Sequence, residues 1–123
     1  MVHVLLVDAA NVIGSRPTGW WRDRPGAARR FAEAVRESVQ DGRLEPPVVL
    51  VLEGSARDGI DEGEVDGVEV VHAAGEGDDT VVALTERNRG AVVVTADRML
   101  AERVRAVGAH VRGPRWLLDR IVT

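Results

Sequence analysis

The 123-residue chain contains no cysteine, no lysine and no tyrosine. Without cysteine there is no disulfide framework, no thiolate nucleophile and no thiolate metal ligand, which agrees with a cytoplasmic protein. Without lysine there is no P-loop lysine and no Schiff-base chemistry, and without tyrosine no phenolate nucleophile. Apart from histidine, every basic residue is arginine. Long apolar runs are missing too: none approaches the ~20 residues of a membrane-spanning helix, so no membrane partner is expected. The first apolar run has no basic segment ahead of it and is interrupted by Asp8, unlike a secretory leader. The net charge of −4 lacks the basic excess common among nucleic-acid binders. Charge distribution nevertheless counts for more than its sum.

What is present reads as one globular domain over residues 1–123, large enough for a real core. Apolar runs at Val2 to Val7, Val48 to Leu52, Val68 to His72 and Ala91 to Thr95 predict strands buried on both faces, with a short last strand at "AHV". Between them lie helical patterns. One runs from Pro25 to a stop at Gly42, one from "GDDT" to Gly90, one from Asp97 to Gly108, and a last one follows Pro114. The acidic, glycine-rich stretch Gly54 to Gly67 reads as a solvated connection. Alternating strands and helices predict an α/β fold, a three-layer α/β/α sandwich with a mainly parallel central sheet of four to five strands.

In such sheets, sites form beyond the carboxyl ends of the strands. Asp8, Glu53 and Asp97 fall there, and Asp78 and Asp79 open a helix that reaches the same rim. Taken singly, Asp78 or Asp97 is explained as a helix N-cap and Glu53 as an ordinary strand-end acid. Asp8 is harder to explain that way, because it ends a run of core residues. Several carboxylates converging on one spot would repel one another, and a hard divalent cation, Mg²⁺ or Mn²⁺, relieves that. Two such ions about 4 Å apart can clamp the oxygens of a phosphodiester.

The segment after the first strand carries Arg16, Trp20, Trp21, Arg22 and Arg24. Indole faces stack on unpaired bases and guanidinium groups fork onto phosphate, so these five form a candidate substrate surface. The structural alternative is that a tryptophan packs as core; one packed and one exposed is the expectation. His3 and His110 are expected to be structural; His72 ends the third strand close to the rim, where a packed or solvent-facing role is favoured over one in the site, and no His/Cys spacing suggests zinc.

At "VDAANVI", "GDDTVV" and "VVVTADRMLAERVRAVGAHV" the sequence resembles the NYN/YacP-type branch of the PIN-like nuclease superfamily, in order and over most of the chain. The resemblance implies a metal-dependent ribonuclease or related nuclease, with a carboxylate cluster binding Mg²⁺ or Mn²⁺. It implies Asp8 as the central metal ligand, with Asn11 beside it orienting Asp8 or a bound water. Asp79 matches the acid at the start of the middle helix, and Asp78 is an extra or alternative ligand. Asp97 is the fourth acid, supported by Thr95, and Glu53 matches a second-strand acid that is often aspartate in relatives. Arg98 is placed to contact substrate phosphate. The chain departs from the pattern at "DAAN", where an aromatic often precedes the asparagine. The segment "GSRPTGWWRDRPGAARR" resembles an actinobacterial form.

The expected partner is RNA, with DNA as an alternative and a homo-oligomer left open. A haloacid-type phosphatase would need a second Asp where Ala10 stands, and a receiver domain would need a late-strand lysine. A non-catalytic RNA-binding or protein-interaction module with the same fold is the competing reading, and a toxin-like nuclease with a cognate inhibitor is a further one.

Overall fold

The computed structural model describes residues 3–121. Six strands form one sheet: β1 (Leu5–Asp8), β2 (Val48–Leu52), β3 (Gly63–Val65), β4 (Val68–His72), β5 (Val92–Val94) and β6 (His110–Arg112). Five helices accompany them: α1 (Ala9–Gly14), α2 (Arg24–Gln40), α3 (Gly77–Arg87), α4 (Arg98–Ala106) and α5 (Pro114–Leu118). The strand order is β3-β4-β2-β1-β5-β6, parallel throughout except for the β3–β4 pair. The central strand β1 pairs with β2 on one side and β5 on the other, so the chain switches direction across the sheet at its carboxyl end.

Side-chain alternation assigns the two faces. Leu5 and Val7 of β1, with Val48 and Leu50 of β2, pack with Val12 of α1, Phe31 and Val35 of α2 and Leu117 of α5. Leu6, Val49, Val51 and Val93 point the other way and pack with Val81 of α3 and with Leu100 and Val104 of α4. Each fully buried aliphatic side chain of this kind contributes ~1.5–3 kcal/mol relative to exposure. Helix α2 starts where the sequence predicts: Asp23 accepts the Gly26 N–H at 3.0 Å, and Pro25 sits in the first turn. Gly42, at φ 79°, adopts the left-handed conformation that follows the helix end.

Two expectations need correcting. The stretch Gly54 to Gly67 is not merely a solvated connection. Gly54–Gly59 forms a 3-10 helix against α2, and Gly63–Val65 is a sixth, antiparallel edge strand. Val65 pairs with Val68 around a two-residue turn of Asp66 and Gly67, both at positive φ, as a tight hairpin requires. The second correction is α1, which follows Asp8 directly and was not among the expected elements. The boundaries also shift. The first strand is Leu5–Asp8 where Val2 to Val7 was expected, and Val2 lies outside the described residues. The fourth expected strand shortens to Val92–Val94, and the last moves one residue on to His110–Arg112. Among the described residues, no helix is long and apolar enough to cross a membrane.

Candidate functional site

The alternation that fills the α3/α4 face also aims the site. Asp8 lies two residues beyond Leu6, Glu53 two beyond Val51, and Thr95 two beyond Val93. All three therefore extend the same face at the carboxyl ends of β1, β2 and β5. Asp8 is only 5 % exposed. Thr95, also buried, donates its hydroxyl to Asp8 Oδ2 at 3.0 Å and accepts the Asp97 N–H at 3.1 Å. One side chain thus ties the end of β1 to the start of α4.

Burial pushes the Asp8 carboxyl up to about 6; the Thr95 hydroxyl opposes this, the charges of Asp78 and Glu53 add to it, and the Asn11 backbone N–H opposes it more weakly. Asp78 is also raised, first by burial and then by Asp97 and Glu76, with Arg103 opposing. These mutual effects place Asp8, Glu53, Asp78 and Asp97 within one electrostatic neighbourhood.

Each acid is held differently. Asp97 caps α4: its Oδ1 accepts the N–H groups of Met99 at 2.9 Å and Leu100 at 3.1 Å. The cap reading is therefore correct for Asp97, and it does not exclude a site role, because Oδ2 makes neither bond. Asp78 lies inside the first turn of α3 and makes no cap bond. The carboxylate of Glu53 lies against the first residue of α3, where a Cβ on Gly77 would meet Oε1 at 2.9 Å.

Asp79 is turned elsewhere. Its Oδ1 receives the Arg103 guanidinium at 3.0 Å, and its side chain is 82 % exposed. The acid beside Asp8 is Asp78, with Glu53 next, while Asp79 is paired at the surface. Among the described residues, no three Asp, Glu or His side chains converge into a ready-made metal cage.

Asn11 lies on α1 beside Asp8, but its Oδ1 accepts the Ala96 N–H at 2.7 Å. It clamps the β5–α4 turn, a role its place in the sequence did not reveal. Arg103 was also missed, because its partner lies 24 residues away on another helix.

No known family's sequence profile matches the chain, and no curated protein matches it in sequence. Solved structures do match. The crystal structure of Rae1 (YacP) from Bacillus subtilis superposes with a TM-score of 0.71 at 19 % identity, covering 96 % of this chain and 72 % of that one. A mutant of the same protein gives a TM-score of 0.68 at 20 % identity, covering 94 % and 72 %. The chain has the YacP fold. The sheet has six strands where four to five were expected.

On this YacP-type scaffold the Trp/Arg segment flanks the rim. Trp20 is half-buried, with its ring against Gly14, and Trp21 is 53 % exposed, so one packs and one is free as expected. The two rings meet edge to face at 6.3 Å. Arg24 stands over Trp20 at 5.0 Å and Arg22 over Trp21 at 5.8 Å, both within cation–π range. Arg16 is not part of this cluster; it lines a separate groove with Phe31 and Leu118. Arg98 is exposed at the first position of α4, next to Asp97. Of the histidines, His72 is engaged structurally, its Nε2 lying 2.8 Å from the Ile60 carbonyl.

Proposed function

We propose that this chain is a divalent-cation-dependent nuclease acting on single-stranded RNA. The observation that carries the reading is Asp8: a carboxyl buried at the end of the central strand, raised to about 6, whose neighbouring charges, Asp78 and Glu53, are both negative. Such a group is poorly arranged for stability and well arranged to receive a cation.

The donor set fits Mg²⁺ or Mn²⁺. It offers hard carboxylate oxygens, which these ions take together with water and substrate phosphate. Asp8 and Asp78 are the ligands this geometry favours, with Asp97 and Glu53 at the edge and Asp79 outside. When bound, the cation would supply charge neutralisation and Lewis acidity toward the phosphodiester.

The chain's own groups do the rest. Thr95 fixes the rotamer of Asp8 and favours its ionised form. Asn11 holds the turn that presents Asp97. Trp21 and Arg22 offer a stacking face and a phosphate contact beside the rim, and Arg98 a second phosphate contact. These local arginines offset a net charge that would otherwise repel RNA.

The test is cleavage of a mixed single-stranded RNA pool with Mn²⁺, with EDTA, and with Asp8→Asn purified in parallel. Cleavage that is lost with both EDTA and the variant supports the proposal; equal cleavage by the variant contradicts it. A second reading, a non-catalytic RNA-binding module, is favoured by one observation: the Asp79–Arg103 pair takes an expected acid out of the cluster. RNA binding without cleavage by the wild type would support that reading.

A further inference from the structure

A cavity of about 210 Å³ opens beside the acidic rim, lined among others by Ala10, Ile13, Trp20, Arg24, Glu53 and Gly54. It is smaller than the ~300–1,000 Å³ clefts that take drug-sized molecules. The apolar part of its lining comes from α1 and from the half-buried Trp20 ring. The cationic part is Arg24, the first residue of α2, which stacks on Trp20 and forms no ion pair among the described residues. Glu53 belongs to the cavity and to the rim at once.

We infer that this cavity binds one unpaired nucleobase of the substrate strand, with guanine preferred, and that Arg24 is the residue that selects it. The inference rests on the single-stranded RNA reading above and gives it a sequence preference. Unstacked bases are held by aromatic rings and guanidinium planes, and the Trp20–Arg24 pair offers both. A guanidinium presents parallel N–H donors and no acceptor. Among the four bases, guanine alone combines two adjacent acceptors, O6 and N7, which an arginine fork meets, with two adjacent donors, N1–H and the N2 amino group, on its other edge. Glu53, at the cavity's edge, is an acceptor available to the N1–H and N2 amino donors on the other edge of guanine. Cytosine can meet the fork with O2 and N3 but has no pair of adjacent donors for Glu53, uracil separates its two acceptors by the N3–H, and adenine pairs N7 with a donor. Because Glu53 also borders Asp8, a base seated here brings its own phosphate to the carboxylates.

Binding, not cleavage, tests this, so it stands or falls apart from the nuclease reading. Tryptophan fluorescence in EDTA would follow titration with an all-uridine RNA octamer and with three octamers carrying one central guanosine, adenosine or cytidine. The guanosine octamer is expected to bind about tenfold more tightly than the all-uridine one, the discrimination typical of one bidentate contact. Arg24→Lys keeps the charge and loses the fork; it is expected to bring the octamers to within about twofold of one another while the dependence on salt persists. Arg24 is exposed, so the variant is expected to fold, which circular dichroism checks. Equal binding of all four octamers by the wild type overturns the inference, as does a guanosine preference that survives Arg24→Lys. Guanosine-selective binding by a protein that cleaves nothing would uphold the cavity assignment and contradict the nuclease reading.

Discussion

The Thr95 hydroxyl donates to Asp8 Oδ2 across 3.0 Å and at the same time receives the backbone N–H of Asp97 at 3.1 Å. Two acids of the site therefore share one buried support. Thr95→Val removes it without changing shape. The loss of a group that favours ionisation raises the Asp8 carboxyl further, so the acid limb of the cleavage profile moves to higher pH. The cost in stability is about 1–3 kcal/mol, because the Asp97 N–H and an Asp8 oxygen lose a partner. Thr95→Ser restores the wild-type profile. A profile in Thr95→Val identical to wild type would show that the bond does nothing for Asp8.

Asp8 itself predicts a conflict between stability and function. Its folded-state value of about 6 lies above the ordinary 3.8. The folded protein therefore holds this proton more tightly than the unfolded chain. Its contribution to stability is full below the unfolded value and is lost as pH rises through about 6. At neutral pH the ionised, buried carboxylate costs roughly 2–3 kcal/mol. Asp8→Asn removes that cost and can still accept from Thr95. In EDTA near pH 8 its melting temperature is expected to rise by on the order of 5 °C, with the gain vanishing below about pH 4. The same variant is expected to be inactive. A lower melting temperature near pH 8 would contradict the electrostatic account of Asp8.

Neighbouring acids on α3 are expected to behave differently. Asp78→Asn removes a carboxylate that acts on Asp8 and Asp97. Asp79→Asn removes a surface partner of Arg103 and a minor charge acting on Asp78. Cleavage rates are expected to fall at least the ~10–100-fold typical of weakened metal sites for Asp78→Asn, and by less than about threefold for Asp79→Asn. The reverse order would place Asp79, not Asp78, in the cluster.

Exposure separates the two tryptophans. Trp21→Ala is expected to weaken single-stranded RNA binding by about 1–3 kcal/mol, the worth of one stacked base, with little change in melting temperature. Trp20→Ala is expected to do both, because its ring packs on α1 at Gly14. Fluorescence titration and thermal melts of both variants check this. Unchanged RNA binding by Trp21→Ala would make the exposed indole irrelevant to substrate.

Much of this is legible in the sequence. Val48 to Leu52 is a strand to the residue, a continuous apolar run buried throughout, and Val68 to His72 is one too, although Glu69 is exposed and only one face of it is fully buried. Asp8, Glu53 and Asp97 fall at strand ends for the same reason. The hairpin strand was hidden because Gly63–Val65 is exposed and lacks an apolar face. The Asp66–Gly67 pair between "EV" and "VEV" was the available signal. Helix α1 escaped because Ala9–Gly14 is only six residues long and continues the apolar run of β1 without a break. The choice between Asp78 and Asp79 was beyond the sequence, since it depends on Arg103 arriving from α4. The turn-clamping role of Asn11 was hidden likewise, because its partner, Ala96, lies 85 residues on.

The central claim is that Asp8 anchors a divalent cation at the carboxyl end of β1. Calorimetric titration with Mn²⁺ near neutral pH, on the wild type, Asp8→Asn and Asp79→Asn, tests it without any RNA. The account predicts saturable binding by the wild type, binding weakened less than about threefold in Asp79→Asn, and none detectable in Asp8→Asn. Mn²⁺ binding by Asp8→Asn with wild-type affinity would contradict it.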